Sequence, residues 1–237
     1  MRGSVLNMKA FEIIWKEIPK YSYLRELPAL RDLERMRFRK NITLFCGENG
    51  SGKSTILRAL AEAWGLNPRG GTRNYIVDEN HRSELGHYLR VYKGNASCYR
   101  AFFRSDSLLQ TVREMENFGR MTYGMRPVDD LSHGESFRVL LDTFVPGGLY
   151  FLDEPDGAFS VQNLLVFMSK VIEMSREGTQ FVIVTHSPLL LGLPDADIYC
   201  FGEDGVYPCA YEDTDAYQIS KAFLNNREKM LCYLCGE

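Results

Sequence analysis

The chain contains 237 residues, with 28 lysines and arginines against 31 aspartates and glutamates and a formal net charge of −3. This length predicts one large domain whose core needs no disulfide staples, and the slight acidity argues against binding nucleic acid through bulk positive charge. No apolar run approaches the ~20 residues of a membrane span and no signal-peptide core is present, so we expect a cytoplasmic protein without membrane insertion. The six cysteines are then expected to be reduced thiols.

Strands alternate with helices along most of the chain. The predicted strands are residues 11–15, 42–46, 89–92, 99–103, 149–152 and 181–184, and a hairpin formed by 198–201 and 206–209. The predicted helices are residues 54–64, 108–118, 136–145, 161–176 and 217–231. Because several strands are apolar throughout, the alternation predicts an α/β fold with a mainly parallel sheet covered on both faces. Such sheets bind ligands at the carboxyl ends of their strands.

A glycine-rich turn follows the strand at 42–46 and opens a helix. Its residues fit the pattern G-x-x-x-x-G-K-[ST], in which glycines let backbone N–H groups converge on phosphate oxygens at the start of a helix. Lys53 is expected to reach the β- and γ-phosphates, and Ser54 to ligate Mg²⁺. The candidate nucleotide-binding residues here are Gly47, Glu48, Asn49, Gly50, Ser51, Gly52, Lys53, Ser54 and Thr55.

Two adjacent carboxylates end the apolar strand at 149–152. Asp153 is a candidate ligand of Mg²⁺, and Glu154 is a candidate for orienting and polarising an attacking water. The alternative is a solvated turn before Pro155, which the phosphate-binding pattern upstream makes the weaker interpretation.

A third motif, at residues 131–135, precedes the helix at 136–145. Ser132 followed three residues later by Glu135 satisfies the capping-box rule, which is a complete structural explanation by itself. The functional interpretation is that the Ser132 hydroxyl and the Gly134 N–H bind a phosphate at this helix N-terminus. The position of the motif between the phosphate loop and the acidic strand end favours the functional interpretation.

These motifs, in this order, resemble those of the ABC-type P-loop ATPase superfamily. Residues 47–54 are similar to Walker A, 131–135 to the ABC signature, and 149–154 to Walker B with its adjacent glutamate. His186 corresponds to the switch histidine, and 156–160 to the D-loop. Within the superfamily the chain looks most like small stand-alone bacterial AAA-family ATPases that resemble SMC, RecF and overcoming-lysogenisation-defect ATPase heads. The stretch between Lys53 and Ser132 is too short for the heptads of a coiled-coil arm, so we expect a head without arms.

The resemblance implies a fold, a reaction and a partner. The fold is an ABC-ATPase-like head spanning residues 1–237, with an antiparallel β part and a small helical insertion at about 72–130. The reaction is Mg²⁺-dependent hydrolysis of ATP, with Lys53, Glu154 and His186 as catalytic residues and Ser54 and Asp153 holding the metal. The partner is a second copy, whose Ser132 and Gly134 complete the ATP site in a homodimer.

Two alternatives keep the ATP site and change its use. One is a switch subunit that recruits an unidentified protein in defence or DNA repair, and the other is the nucleotide-binding subunit of a transporter. A nucleic-acid partner stays open but has no support from the charge. The basic cluster between Arg31 and Lys40 is interpreted as the solvated side of a helix or strand, because apolar residues interleave with it.

Several details depart from the family pattern or are weak. His133 replaces a glycine of the signature. The Q-loop is assigned either to Gln110 or to Asp106, and Tyr21 and Tyr23 are candidates both for stacking on adenine and for the core. Cys232 and Cys235 are interpreted as two incidental thiols, since no second Cys/His pair has suitable spacing.

Overall fold

The computed structural model describes residues 6–68, 70–72, 83–94, 99–107 and 133–235. It contains ten strands, listed here in chain order: β1 (Met8–Ile13), β2 (Arg35–Arg37), β3 (Ile42–Gly47), β4 (Gly71–Thr72), β5 (Leu89–Lys93), β6 (Arg100–Arg104), β7 (Leu149–Asp153), β8 (Gln180–Val184), β9 (Ala196–Gly202) and β10 (Gly205–Cys209). The α-helices of these ranges are α1 (Lys53–Ala63), α2 (His133–Asp142), α3 (Val161–Arg176), α4 (Pro188–Leu191), α5 (Asp215–Asn225) and α6 (Arg227–Cys235). Short 3₁₀ turns connect them at Tyr23–Arg25, Pro28–Leu30, Glu84–Tyr88, Ser105–Ser107, Pro155–Ala158 and Tyr211–Asp213.

Seven strands form the larger sheet, in the order β10-β9-β3-β8-β7-β6-β4. The five inner strands run parallel, and β10 and β4 pair antiparallel at the two edges. The parallel arrangement brings the ends of β3, β7 and β8 to one edge of the sheet. The predicted α/β class with a mainly parallel sheet is therefore confirmed.

Strands β2, β1 and β5 form a separate antiparallel sheet of three strands. The buried Gln180 side chain ties this sheet to the larger one. Its Oε1 accepts from the Met8 N–H at 2.8 Å, and its Nε2 donates to the Met8 carbonyl at 2.9 Å. In β2, Met36 is buried between the exposed Arg35 and Arg37, which confirms the basic cluster as the solvated side of a strand.

Apolar side chains cover both faces of the larger sheet. On one face, Phe45, Phe151 and Val182 pack with α1 and the three-stranded sheet. On the other, Leu44 and Leu152 pack with α2, α3 and α4. Since successive residues of a strand point to opposite faces, two helical layers bury these strands completely, which explains why their sequences are apolar throughout.

Most predicted elements occur within a few residues of their expected bounds. The helix at 161–176 has the predicted bounds, and Gly178 follows it with φ of +86°, the left-handed conformation typical of a residue just beyond a helix end. The predicted helix at 108–118 lies outside the described residues. The division into one domain with an insertion at 72–130 stays a prediction.

The predicted single helix at 217–231 is wrong. The structure has α5 and α6 instead, separated at Asn226, whose φ of −140° and ψ of 52° are not helical. Asparagine side chains compete for backbone hydrogen bonds, which weakens a helix at Asn225 and Asn226. Neither helix has a buried residue, so no packing holds the two segments in one axis.

Within the part of the chain that the structure describes, no helix combines the length and the apolar character needed to cross a membrane.

Candidate functional site

The phosphate-loop sequence joins β3 to α1, as its motif predicts. Gly52 directly precedes the helix with φ of +104°, a left-handed conformation that side chains disfavour, and it packs against Leu30. Gly47 has φ of +122°, and a Cβ added there would lie 2.1 Å from the Phe201 carbonyl oxygen. Both glycines therefore meet a backbone requirement of the turn and a packing requirement against the neighbouring chain.

Gly47→Ala is expected to destabilise the fold more than Gly65→Ala, a matched control. Gly65 also has a positive φ, +74°, but a Cβ there would meet nothing within 4 Å. The control should cost about 1–2 kcal/mol through backbone strain alone, and overpacking against Phe201 should add roughly 1–3 kcal/mol at Gly47. Urea unfolding of both variants measures the difference, and equal losses would contradict the tight approach of the two strands.

Lys53 is the first residue of α1 and is 4% exposed. Its Nζ donates to the carbonyl oxygens of Gly47 at 2.9 Å and Glu48 at 2.5 Å, and to Ser51 Oγ at 3.3 Å. Burial lowers the pKa of this ammonium, while the nearby carboxylates, Glu154 first among them, act in the opposite direction. The loop thus holds a buried cation at its centre.

Ser54 and Asp153 meet between the phosphate loop and the end of β7. Ser54 Oγ donates to Asp153 Oδ1 at 2.8 Å, and Arg58 Nη2 lies 3.8 Å from Asp153 Oδ2. A hydroxyl beside a carboxylate fits Mg²⁺, which takes one or two protein oxygens and completes its shell with phosphate and water. No group of three or more His, Cys, Asp or Glu side chains suited to a metal occurs among the described residues, which agrees with such a sparse protein ligand set.

Glu154 and His186 face each other at the ends of β7 and β8. His186 Nε2 lies 3.7 Å from Glu154 Oε1, and the two side chains are 40% and 47% exposed. Glu154 has φ of 52° and ψ of 50°, a conformation that is rare for any residue except glycine and that clusters at functional sites. Its N–H donates to the Val184 carbonyl at 2.9 Å, which holds the turn in place.

The other predicted site residues lie in known and unknown places. Glu48, Asn49 and Gly50 are exposed on the loop. Gly134 lies in the first turn of α2, and Ser132 lies outside the described residues. The predicted phosphate contact of this motif therefore stays a prediction.

The Q-loop and adenine candidates have the following surroundings. Asp106 is exposed and accepts from Arg104 at 2.7 Å, whereas Gln110 lies outside the described residues. Tyr21 is 91% exposed and Tyr23 is 46% exposed, so neither belongs to the core. Cys232 and Cys235 are exposed free thiols on α6.

A cavity of about 450 Å³ adjoins the phosphate loop on the side of β9 and β10. Gly47, Glu48 and His186 line it together with the start of α5. Cys46 and Cys200 also line it, with their sulfur atoms 3.2 Å apart. Both thiols are free, as are Cys209, Cys232 and Cys235, which agrees with the expectation of reduced cysteines for the five that are described.

Three residues at this edge of the sheet were not among the predicted site residues. Arg58 is four positions after Ser54 on α1, and this spacing, which places two residues on one helix face, was the available signal. Asp156 and Thr185 share a hydrogen bond of 2.7 Å. No local pattern marks that pair, because its members come from different strand ends and meet only in the folded chain.

Comparisons with known proteins agree with this geometry. A family model described as an AAA domain matches residues 22–124. The cytochrome c biogenesis ATP-binding export protein CcmA of Escherichia coli (strain K12) is 26% identical over 183 residues, covering 70% of this chain and 88% of CcmA. A Bacillus anthracis protein predicted to be an ABC transporter ATP-binding protein is 24% identical over 213 residues, covering 78% of this chain. This chain matches 36% of that relative, or about a third of its length.

A solved structure gives the same fold. The nucleotide-free ATP-binding cassette of an ABC transporter superposes with a TM-score of 0.51 at 15% sequence identity, covering 91% of this chain and 95% of that one. The narrower likeness to SMC, RecF and overcoming-lysogenisation-defect heads stays a prediction. The fold, the ordered motifs and these similarities place the chain in the ABC-type P-loop ATPase superfamily.

Proposed function

We propose that this head binds ATP with Mg²⁺ and hydrolyses the bond between the β- and γ-phosphates. One observation carries the proposal: the phosphate loop, the Ser54–Asp153 pair and the Glu154–His186 pair converge at one edge of the sheet. Each pair lies next to the loop that is expected to hold the triphosphate. The edge therefore combines anion binding, a place for a hard cation and a candidate base.

Each residue has a defined task in this proposal. The loop N–H groups bind the phosphates, and Lys53 exchanges its carbonyl contacts for oxygens of the β- and γ-phosphates. Mg²⁺, held by Ser54 and Asp153, supplies neutralisation of the negative charge on those phosphates. Glu154 orients the attacking water and accepts its proton, and His186 donates a hydrogen bond to the γ-phosphate.

A second copy of the chain completes the site in the proposed closed state. The superfamily resemblance implies an isologous dimer in which Ser132 and Gly134 of each copy face the ATP held by the other. The notable departure is His133 in the signature, because the family pattern has a glycine there.

Ser132→Arg is expected to prevent ATP-dependent dimerisation while leaving ATP binding intact. The long side chain would occupy space at the proposed interface, whereas the phosphate loop of the same copy is unchanged. Sedimentation with ATP measures the dimer, and equilibrium nucleotide binding provides the control. A persistent dimer of this variant in ATP would remove the signature from the interface.

A transporter role is a second candidate, and the relatives favour it. CcmA is an ATP-binding export protein, and the Bacillus anthracis relative is a predicted ABC transporter ATP-binding protein. In that case this chain would serve as the nucleotide-binding subunit beside a separate membrane protein. Copurification of an integral membrane protein from native cells would support this role over a stand-alone switch that recruits a partner.

The proposed activity is tested by phosphate release from ATP with Mg²⁺ and with excess chelator, with and without DNA. We expect release that requires Mg²⁺ and does not require DNA. Oligomeric state is measured in the same samples, and dimers should appear only with ATP. A preparation that binds no ATP would contradict the proposal, and activity only with DNA would favour the recruitment alternative.

A further inference from the structure

The turn that carries His186 is tied to the turn that follows Glu154 by one buried hydroxyl. Thr185 is 0% exposed, and its Oγ1 donates to Asp156 Oδ1 at 2.7 Å. The same oxygen accepts from the Ser187 N–H at 3.0 Å. The hydroxyl thus fixes the backbone on both sides of His186 and joins it to the turn at Pro155–Ala158.

This contact begins where the pairing of the sheet ends. Asp153 and Val184 are the last residues paired between β7 and β8, and the Glu154 N–H still donates to the Val184 carbonyl. Beyond that bond the two chains have left the ladder, and Asp156 to Thr185 is the next connection between them. Glu154 and His186, the pair at 3.7 Å, lie on either side of this connection.

We propose that Asp156 and Thr185 are positioning residues that hold His186 against Glu154 for the reaction. This inference rests on the proposed ATP hydrolysis. The Thr185 hydroxyl has a single proton, which is donated to Asp156, so the orientation of the hydroxyl is set by that carboxylate. His186 lies between the two residues that the hydroxyl connects, so its ring follows their backbone.

The alternative is that the hydroxyl merely stabilises a turn. Threonine hydroxyls often accept from an N–H two residues on, and such turns need no functional reason. The two possibilities differ in what a variant changes. A structural turn affects the stability of the fold, whereas a positioning pair affects turnover with little effect on ATP binding.

A second threonine on the same strand segment supplies a matched control. Thr179 precedes β8 at the opposite edge of the sheet, is also 0% exposed, and donates to the Val145 carbonyl at 2.8 Å. Thr179→Val and Thr185→Val each delete one buried hydroxyl with little change in shape. Thr185→Ser keeps the hydroxyl and is the conservative variant for rescue.

The test measures kcat and KM for ATP in the parent and these three variants, with thermal unfolding as a check of folding. Because a misplacement of about 1 Å can lower a rate about 100-fold, we expect kcat of Thr185→Val to fall by roughly that factor. KM should stay within about threefold, as for loss of an interaction made only in the transition state. Thr185→Ser and Thr179→Val should turn over like the parent.

A readout that does not depend on turnover separates this inference from the proposed function. The imidazole NMR resonances of His186, assigned with His186→Gln, should move in Thr185→Val and return in Thr185→Ser. Turnover of Thr185→Val equal to that of Thr179→Val would overturn the positioning role while the ATPase proposal stands. If the parent releases no phosphate, the ATPase proposal fails, and unchanged His186 resonances in Thr185→Val would then overturn the positioning role as well.

Discussion

Glu154→Gln is expected to bind ATP and lose turnover by about 10²–10⁴-fold, the range supplied by a positioned general base. Glutamine keeps the shape of the side chain but accepts no proton from water near neutral pH. Glu154 is half-exposed and faces His186, so the change removes a charge that no buried partner requires. The proposed closed dimer should then persist with ATP trapped inside it.

Phosphate release and sedimentation in ATP measure the two parts of this result. Glu203→Gln is the matched control, because Glu203 is an exposed carboxylate on the cavity that His186 also lines. The control should hydrolyse ATP and return to monomers. If Glu154→Gln released phosphate at the rate of the control, Glu154 would not be the base.

Lys53→Met is expected to weaken ATP binding by about 100-fold, since two charge-assisted hydrogen bonds contribute about 1.5 kcal/mol each. Methionine retains the length of the buried stem and removes the ammonium, which donates to the carbonyls of Gly47 and Glu48. The loop glycines keep their conformation, so the loss should come from the missing cation.

Titration with a fluorescent ATP analogue gives the affinity, and thermal unfolding confirms that the variant is folded. Lys170→Met is the control, because Lys170 pairs with Glu173 on the surface of α3. Affinity of Lys53→Met equal to that of Lys170→Met would place the phosphates away from this loop.

The order of the elements was predictable because the sequence signals are strong there. The apolar strands before Gly47, Asp153 and Thr185 end at polar residues, and in a parallel sheet such ends meet at one edge. That rule alone brings Ser54, Asp153, Glu154 and His186 together. The basic residues of β2 were also predictable, because apolar residues alternate with them.

Other features depend on contacts that no local pattern encodes. The bond between Asp156 and Thr185 joins residues 29 positions apart and arises from the register of β7 and β8. The division of the last helix at Asn226 depends on the lack of buried residues in α5 and α6, whereas helix propensity alone favours continuity. The left-handed conformation of Glu154 likewise follows from the turn that the folded sheet imposes.

The central claim is that the edge of the sheet formed by Lys53, Ser54, Asp153, Glu154 and His186 hydrolyses ATP. Its most direct test is single-turnover hydrolysis of radiolabelled ATP bound to the parent and to Glu154→Gln, started by adding Mg²⁺ and quenched over time. We predict that bound ATP converts to ADP and phosphate in the parent and stays intact in the variant over the same period. Equal conversion in both proteins, or intact ATP in the parent, would contradict the account.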